Sequence, residues 1–183
     1  MSGTLKENIE GYIPRRYHLK KLAHTDENVQ ITRELTHNEL TRLLDLYSSH
    51  AKEDQTARLW RDSMDHWIRR YHGYCVVDEI GSHYQEVGLA EKGILEHVIP
   101  LSNVRTMMIN GRLSIEQALN APMCRISREK DAILRSTGLV NRTPDLWYFF
   151  KRYQDLGIDI KDSDGNLINL DTWTLEDHYN KFI

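Results

Sequence analysis

The sequence predicts an α+β protein in which a mainly helical scaffold surrounds a small hairpin–helix core. Three observations carry this. Leu40, Leu43, Leu44 and Tyr47 repeat at helical spacing, as do Leu59, Trp60, Met64, Trp67, Ile68 and Tyr71. Gly93-Ile94-Leu95-Glu96-His97-Val98-Ile99-Pro100 reads as a strand that stops at its proline. Ala121-Pro122-Met123-Cys124-Arg125-Ile126 reads as a second short strand, and Ser127 follows as the cap of a helix.

In chain order, residues 1–30 read as a polar arm with Pro14 and a basic cluster at 15–21. Thr36 with Glu39 has the form of a capping box opening the first helix. A second helix is predicted over 53–71. Cys75-Val76-Val77 is short and β-prone, with Gly81 and Gly88 breaking the chain beyond it. Residues 101–119 form a long insert with a turn at Asn110-Gly111 and a short helix over 114–119. The helix after Ser127 is predicted to run to Ser136, with Gly138 as its C-cap. A further helix is expected over 144–156, a hairpin turn at Asp164-Gly165, and a last short helix from Thr174. These elements divide into an arm and scaffold over 1–72, the hairpin–helix core over 73–137 and a C-terminal extension over 138–183, within one compact unit. Residues 162–166 resemble a calcium loop only in composition, because the remaining ligand positions and the closing Glu are missing.

Composition excludes several classes. No apolar run approaches the roughly 18 residues of a membrane helix, and the first residues hold no apolar signal core. Cys75 and Cys124 are too few for a disulfide framework or a four-thiolate zinc site. A cytoplasmic protein with free thiols and no membrane partner is the expectation. The net charge of −3 does not rule out nucleic acid, because the acidity gathers in the last residues. Residues 98–128 hold Arg105, Arg112, Arg125 and Arg128 against Glu116 alone, a local basic patch suited to phosphate. His66, His72 and His83 lack metal-ligand spacing and read as surface or core histidines.

The order of strand, Glu96-His97, loop, Asn120, strand, Ser127 cap and Asp131 carries the chemistry. In this order, over residues 93–137, the chain resembles the HNH (ββα-metal) nuclease family, in which a two-stranded hairpin and a helix clasp one divalent metal ion. Glu96-His97-Val98-Ile99-Pro100 matches the family's acid-histidine string, and Asn120-Ala121-Pro122-Met123-Cys124 its asparagine segment. The resemblance implies a phosphodiester hydrolase acting on DNA. His97 would be the general base, Asn120 would orient it, and Glu96 and Asp131 would ligate the metal, Mg²⁺ first, with Mn²⁺ or Ni²⁺ as alternatives. Neutral imidazole suits a base near working pH, and a hard cation prefers carboxylate oxygen. Asn103 and Asn110 rival Asn120, and Glu129 rivals Asp131. The chain departs from the family in three ways. It lacks paired Cys-x-x-Cys knuckles, has a longer interval between His97 and Asn120, and places Asp at the last ligand position.

Arg105, Arg125, Arg128 and Arg135 are the candidate nucleic-acid contacts. Arg135 is four residues beyond Asp131 and shares its helix face. Neighbouring strand residues point to opposite faces, so Glu96 and His97 can act together only where the strand end breaks, as Pro100 allows. A single site cuts one strand per encounter, so double-strand cutting would call for a homodimer or for two successive visits. The alternatives are a ribonuclease or toxin using the same site, and a non-catalytic nucleic-acid-binding module.

Overall fold

The computed structural model describes residues 23–50, 55–76, 82–90 and 93–183. The basic cluster at 15–21, Val77 and Gly81 lie outside the described residues. The protein is α+β and mainly helical, with one small four-stranded sheet.

Helix α1 (Asp26–Ser49) begins ten residues before the expected cap at Thr36. Thr25 caps it, accepting from the Asn28 amide at 3.2 Å. Thr36 is instead buried mid-helix, and its hydroxyl satisfies itself on the Thr32 carbonyl at 2.7 Å. A threonine can make this bond without ending a helix, so the capping pattern there was misleading. Helix α2 (Gln55–Tyr71) buries Ala57, Met64, Ile68 and Tyr71 and packs on α1. Leu59, expected in the stripe, is exposed, and Ala57 takes the core position. The predicted strand at 75–77 is absent from the described part. The helical path of α2 continues there as a π-turn (His72–Val76), which overrides a three-residue β preference.

The sheet holds β1 (Tyr84–Glu86), β2 (Ile94–His97), β3 (Met123–Ile126) and β4 (Ile160–Asp162) in the order β2-β3-β1-β4. β2 and β3 are antiparallel, with Glu96 opposite Cys124 and His97 opposite Met123. β1 runs parallel to β3 and antiparallel to β4. Every residue of the inner strand β3 is buried, as a strand flanked on both sides and covered on both faces requires.

Between β2 and β3 lie α3 (Leu101–Ile109), which starts directly after Pro100, and α4 (Ile115–Leu119), opened by a Ser114–Gln117 capping box. Helix α5 (Arg128–Ser136) follows β3, with Ser127 accepting from the Lys130 amide and Gly138 turning the chain at φ 71°. The expected helix over 144–156 is only a 3₁₀ helix over Phe149–Leu156. The Asp145 carboxylate captures the Trp147 and Tyr148 amides and holds the preceding chain out of a helix. Asp164-Gly165 does turn the chain, and Lys161 pairs with Leu167 across it. Helix α6 (Leu175–Phe182) starts at a Thr174–Asp177 capping box. One apolar cluster runs from Leu40 of α1 through Val98, Val104 and Phe149 to Leu175 of α6, so scaffold and sheet share a core.

Gly93 sets the start of β2. Its φ is +62°, and an added Cβ would stand 2.7 Å from the Ile126 carbonyl oxygen and 2.8 Å from Leu89 Cδ2. One obstruction is backbone, so it cannot rotate away. Gly93→Ala is expected to cost at least about 1–3 kcal/mol and to lower the urea midpoint accordingly. An unchanged midpoint would show that β2 and β3 separate freely here.

Candidate active site

Residues of β2, α5 and α2 come together beside the antiparallel β2–β3 pair. A polar cavity of about 310 Å³ lies at the junction. Glu96 and His97 of β2, Asp131 and Arg135 of α5, and Asp65 and Arg69 of α2 line it. Four of the residues singled out in the sequence therefore meet at one cavity. Both members of the Glu96-His97 pair reach it because the strand ends at His97 and the chain bends at Val98 and Ile99.

Glu96 is 6% exposed. Its Oε1 pairs with Arg152 at 2.8 Å, and its Oε2 accepts from the Tyr153 hydroxyl at 2.5 Å. Burial pushes its carboxyl up to about 7, against the Arg152 charge and the Tyr153 bond, which both favour the carboxylate. Arg152 is itself fully buried and also donates to the carbonyls of His97, Val98 and Leu139. It pins the end of β2 to the segment after α5.

His97 is held differently. Its Nε2 lies 2.9 Å from Nδ1 of His72, which is 1% exposed. Burial, with Arg69 and Arg152 nearby, pulls the His97 pKa down to about 4, so the ring is neutral near pH 7. Asp131 is also buried, and both its oxygens accept from Arg135, at 2.8 and 3.3 Å. The i+4 pairing expected from the sequence is thus formed.

The other predicted residues lie elsewhere. Asn120 ends α4. Its side-chain amide donates to the Glu116 carbonyl and carboxylate at 3.0 Å, and its carbonyl receives His178 Nε2 at 2.6 Å. It does not line the cavity or touch His97. Arg105 pairs with Asp65 and so reaches the cavity only through that partner. Arg125 is buried within β3 and Arg128 is exposed at the start of α5, and neither lines the cavity. Asp65, Arg69, His72, Arg152 and Tyr153 were not anticipated. The only sequence signal for any of them is Asp65 and Arg69 at i,i+4 on one face of α2.

A metal ion does not fit the residues as they stand. Each oxygen of Glu96 and of Asp131 already accepts a bond from a cation or a hydroxyl. Among the described residues no three His, Cys, Asp or Glu side chains are grouped to hold one. Comparison with known proteins gives no match: no protein-family model, no curated protein and no solved structure.

The buried histidines give the fold an acid-sensitive stability. His97 and His178 are each lowered to about 4, and His72 well below its ordinary value, chiefly by burial. A depressed histidine contributes stability above its unfolded pKa near 6.5 and loses it as pH falls toward the folded value. For His97 and His178 that loss approaches about 3 kcal/mol each. Glu96 acts in the opposite sense. Its folded pKa lies above the unfolded one, so its contribution is present below about 4.5 and lost as pH rises through about 7. Wild-type stability is expected to fall between pH 6.5 and 4, with Glu96→Gln steepening the fall and His178→Gln making it shallower. Urea titrations across that window check this, and a flat wild-type profile would contradict it.

Proposed function

We propose that the chain is an endonuclease of the HNH type that hydrolyses phosphodiester bonds of DNA, with His97 as the general base. The observation that supports this most is that Glu96, His97, Asp131 and Arg135, chosen from their order in the sequence, line a single polar cavity. His97 presents a neutral imidazole there, able to take a proton from water. Arg69 and Arg135, which both line it, supply positive charge for a phosphodiester. A bound phosphate would raise the basicity of His97 toward neutrality, because the anion favours the imidazolium. The imidazolium then discharges its proton to the leaving alkoxide. Asp131 fixes the direction of Arg135.

One observation favours a second reading. With the oxygens of Glu96 and Asp131 all engaged, the site suits cleavage of RNA, whose 2′-hydroxyl supplies the nucleophile without a metal ion. The test is cleavage of duplex, single-stranded and branched DNA and of RNA, in Mg²⁺, Mn²⁺, Ni²⁺ or excess chelator. Cleavage of all-DNA substrates supports the first reading. RNA cleavage in chelator with 2′,3′-cyclic phosphate ends supports the second. No cleavage of any substrate overturns both.

A further inference from the structure

We infer that His72 is the positioning residue for His97, fixing the ring and tautomer of the proposed base through the 2.9 Å contact between His72 Nδ1 and His97 Nε2. This rests on the reading of His97 as a base. The ring centroids are 5.1 Å apart with planes at 43°, so the rings meet at their nitrogens and do not stack.

Two neutral imidazoles joined in this way share one proton, which gives two arrangements. In the first, His97 Nε2–H donates to His72 Nδ1, and His97 keeps a bare Nδ1 able to accept a proton. In the second, His72 Nδ1–H donates to His97 Nε2, and His97 carries its proton on Nδ1, where it cannot act as a base. The surroundings of His72 separate the two. Its Nδ1 faces His97, and the backbone of Ala118 and Leu119 nearby favours a proton on the ring. Nε2 is buried and makes no hydrogen bond among the described residues. With Nδ1 turned to His97, Nε2 is the nitrogen left to carry that proton, because an N–H beside carbonyl oxygens is attracted where a bare lone pair is repelled. The proton of His72 therefore sits on Nε2, its Nδ1 accepts, and His97 takes the first arrangement.

The placement follows from the fold. His72 opens the π-turn that continues α2, and such wide turns redirect a side chain that a regular helix would carry past its target. The charged groups facing His97 are Arg69 of α2 and Arg152 of the 3₁₀ helix, neither of which can accept from its Nε2–H. Asn120, the residue expected to orient the base, is committed to Glu116. His72 does that work from another part of the chain.

The test compares His72→Gln, whose amide oxygen can accept from His97, with His72→Phe, which fills the space without an acceptor. Nitrogen-15 NMR of histidine-labelled protein reads the tautomer without substrate. The expected result is His97 protonated on Nε2 in the wild type and in His72→Gln, and a shift away from it in His72→Phe. In cleavage assays His72→Phe is expected to lower kcat on the order of 10²-fold with little change in KM, and His72→Gln to recover most of it. A wild-type His97 protonated on Nδ1, or equal activity of the two variants, overturns the role of His72 while leaving the nuclease reading intact. If the wild type cuts no nucleic acid, the function fails and the catalytic role of His72 fails with it. The tautomer measurement then still decides whether the two rings are paired as described.

Discussion

Replacement of His97 by alanine is expected to reduce kcat for DNA cleavage by at least about 10²-fold while leaving DNA affinity nearly unchanged. The size follows from what the ring does. Among the described residues no other unengaged base lines the cavity: Glu96 is tied to Arg152 and Tyr153, Asp131 to Arg135 and Asp65 to Arg105. Without the imidazole, proton removal falls to bulk water. Affinity is spared because the positive walls, Arg69 and Arg135, are intact. Arg69→Ala should do the reverse, raising KM and weakening the salt dependence of binding while sparing kcat. Single-turnover kinetics with a binding titration separate the two effects. A His97→Ala protein as active as the wild type would remove His97 from the chemistry.

The second large effect concerns stability. Arg152→Ala is expected to destabilise the fold by about 3–5 kcal/mol, the usual cost of stranding one member of a buried ion pair. Arg152 is fully enclosed and serves four acceptors, Glu96 Oε1 and the carbonyls of His97, Val98 and Leu139. Removing it leaves a carboxyl without its countercharge and takes a donor from three carbonyls, of which Leu139 keeps the Arg142 amide. Lysine cannot substitute, because one ammonium cannot span acceptors spread along a planar fork. The paired variant Glu96→Leu with Arg152→Met should regain only the part of the loss that comes from the stranded carboxylate, since the carbonyls still lack the Arg152 donors. Denaturant midpoints of the three variants decide this. A single Arg152→Ala change costing under about 1 kcal/mol would mean that the pair is solvated and that Arg152 does not hold β2.

The two residues also explain why the end of β2 is rigid enough to carry a site. Arg152 binds the carbonyls of His97 and Val98 at the point where the strand breaks, and His72 fixes the ring of His97 from the other side. A loop-borne histidine without such partners would sample several rotamers and lose the geometry that proton transfer needs.

Much of this core was legible in advance because its rules are local. A strand before Pro100 is present, though it stops at His97, Ser127 caps a helix, and Asp131 and Arg135 share a face at i,i+4. Each depends on neighbours within a few residues. Where local signals compete, the sequence misled. Thr36 carried a capping pattern but satisfied its hydroxyl within a helix that Thr25 opens. The 144–156 segment had helical periodicity, but Asp145 drew the next amides into its own turn. β1 went unread because Tyr84-Gln85-Glu86 is too short to show alternation, and its strand character comes from β3 and β4 on either side.

By itself the sequence determined the α+β class, short strands before Pro100 and before Ser127, the helix that Ser127 caps, and four of the residues that line the cavity. Only the tertiary structure decided what surrounds them: Arg152 and Tyr153 on Glu96, His72 on His97, and Asp65 and Arg69 in the same cavity lining. Asn120 was assigned to the site from its place in the chain, and the fold gave its amide to Glu116 instead. The physical reason is one of range. Caps, turns and helix faces follow from backbone geometry over a few residues, whereas His72 and His97 are 25 residues apart and Glu96 and Tyr153 are 57, so only packing of the core brings them within a hydrogen bond.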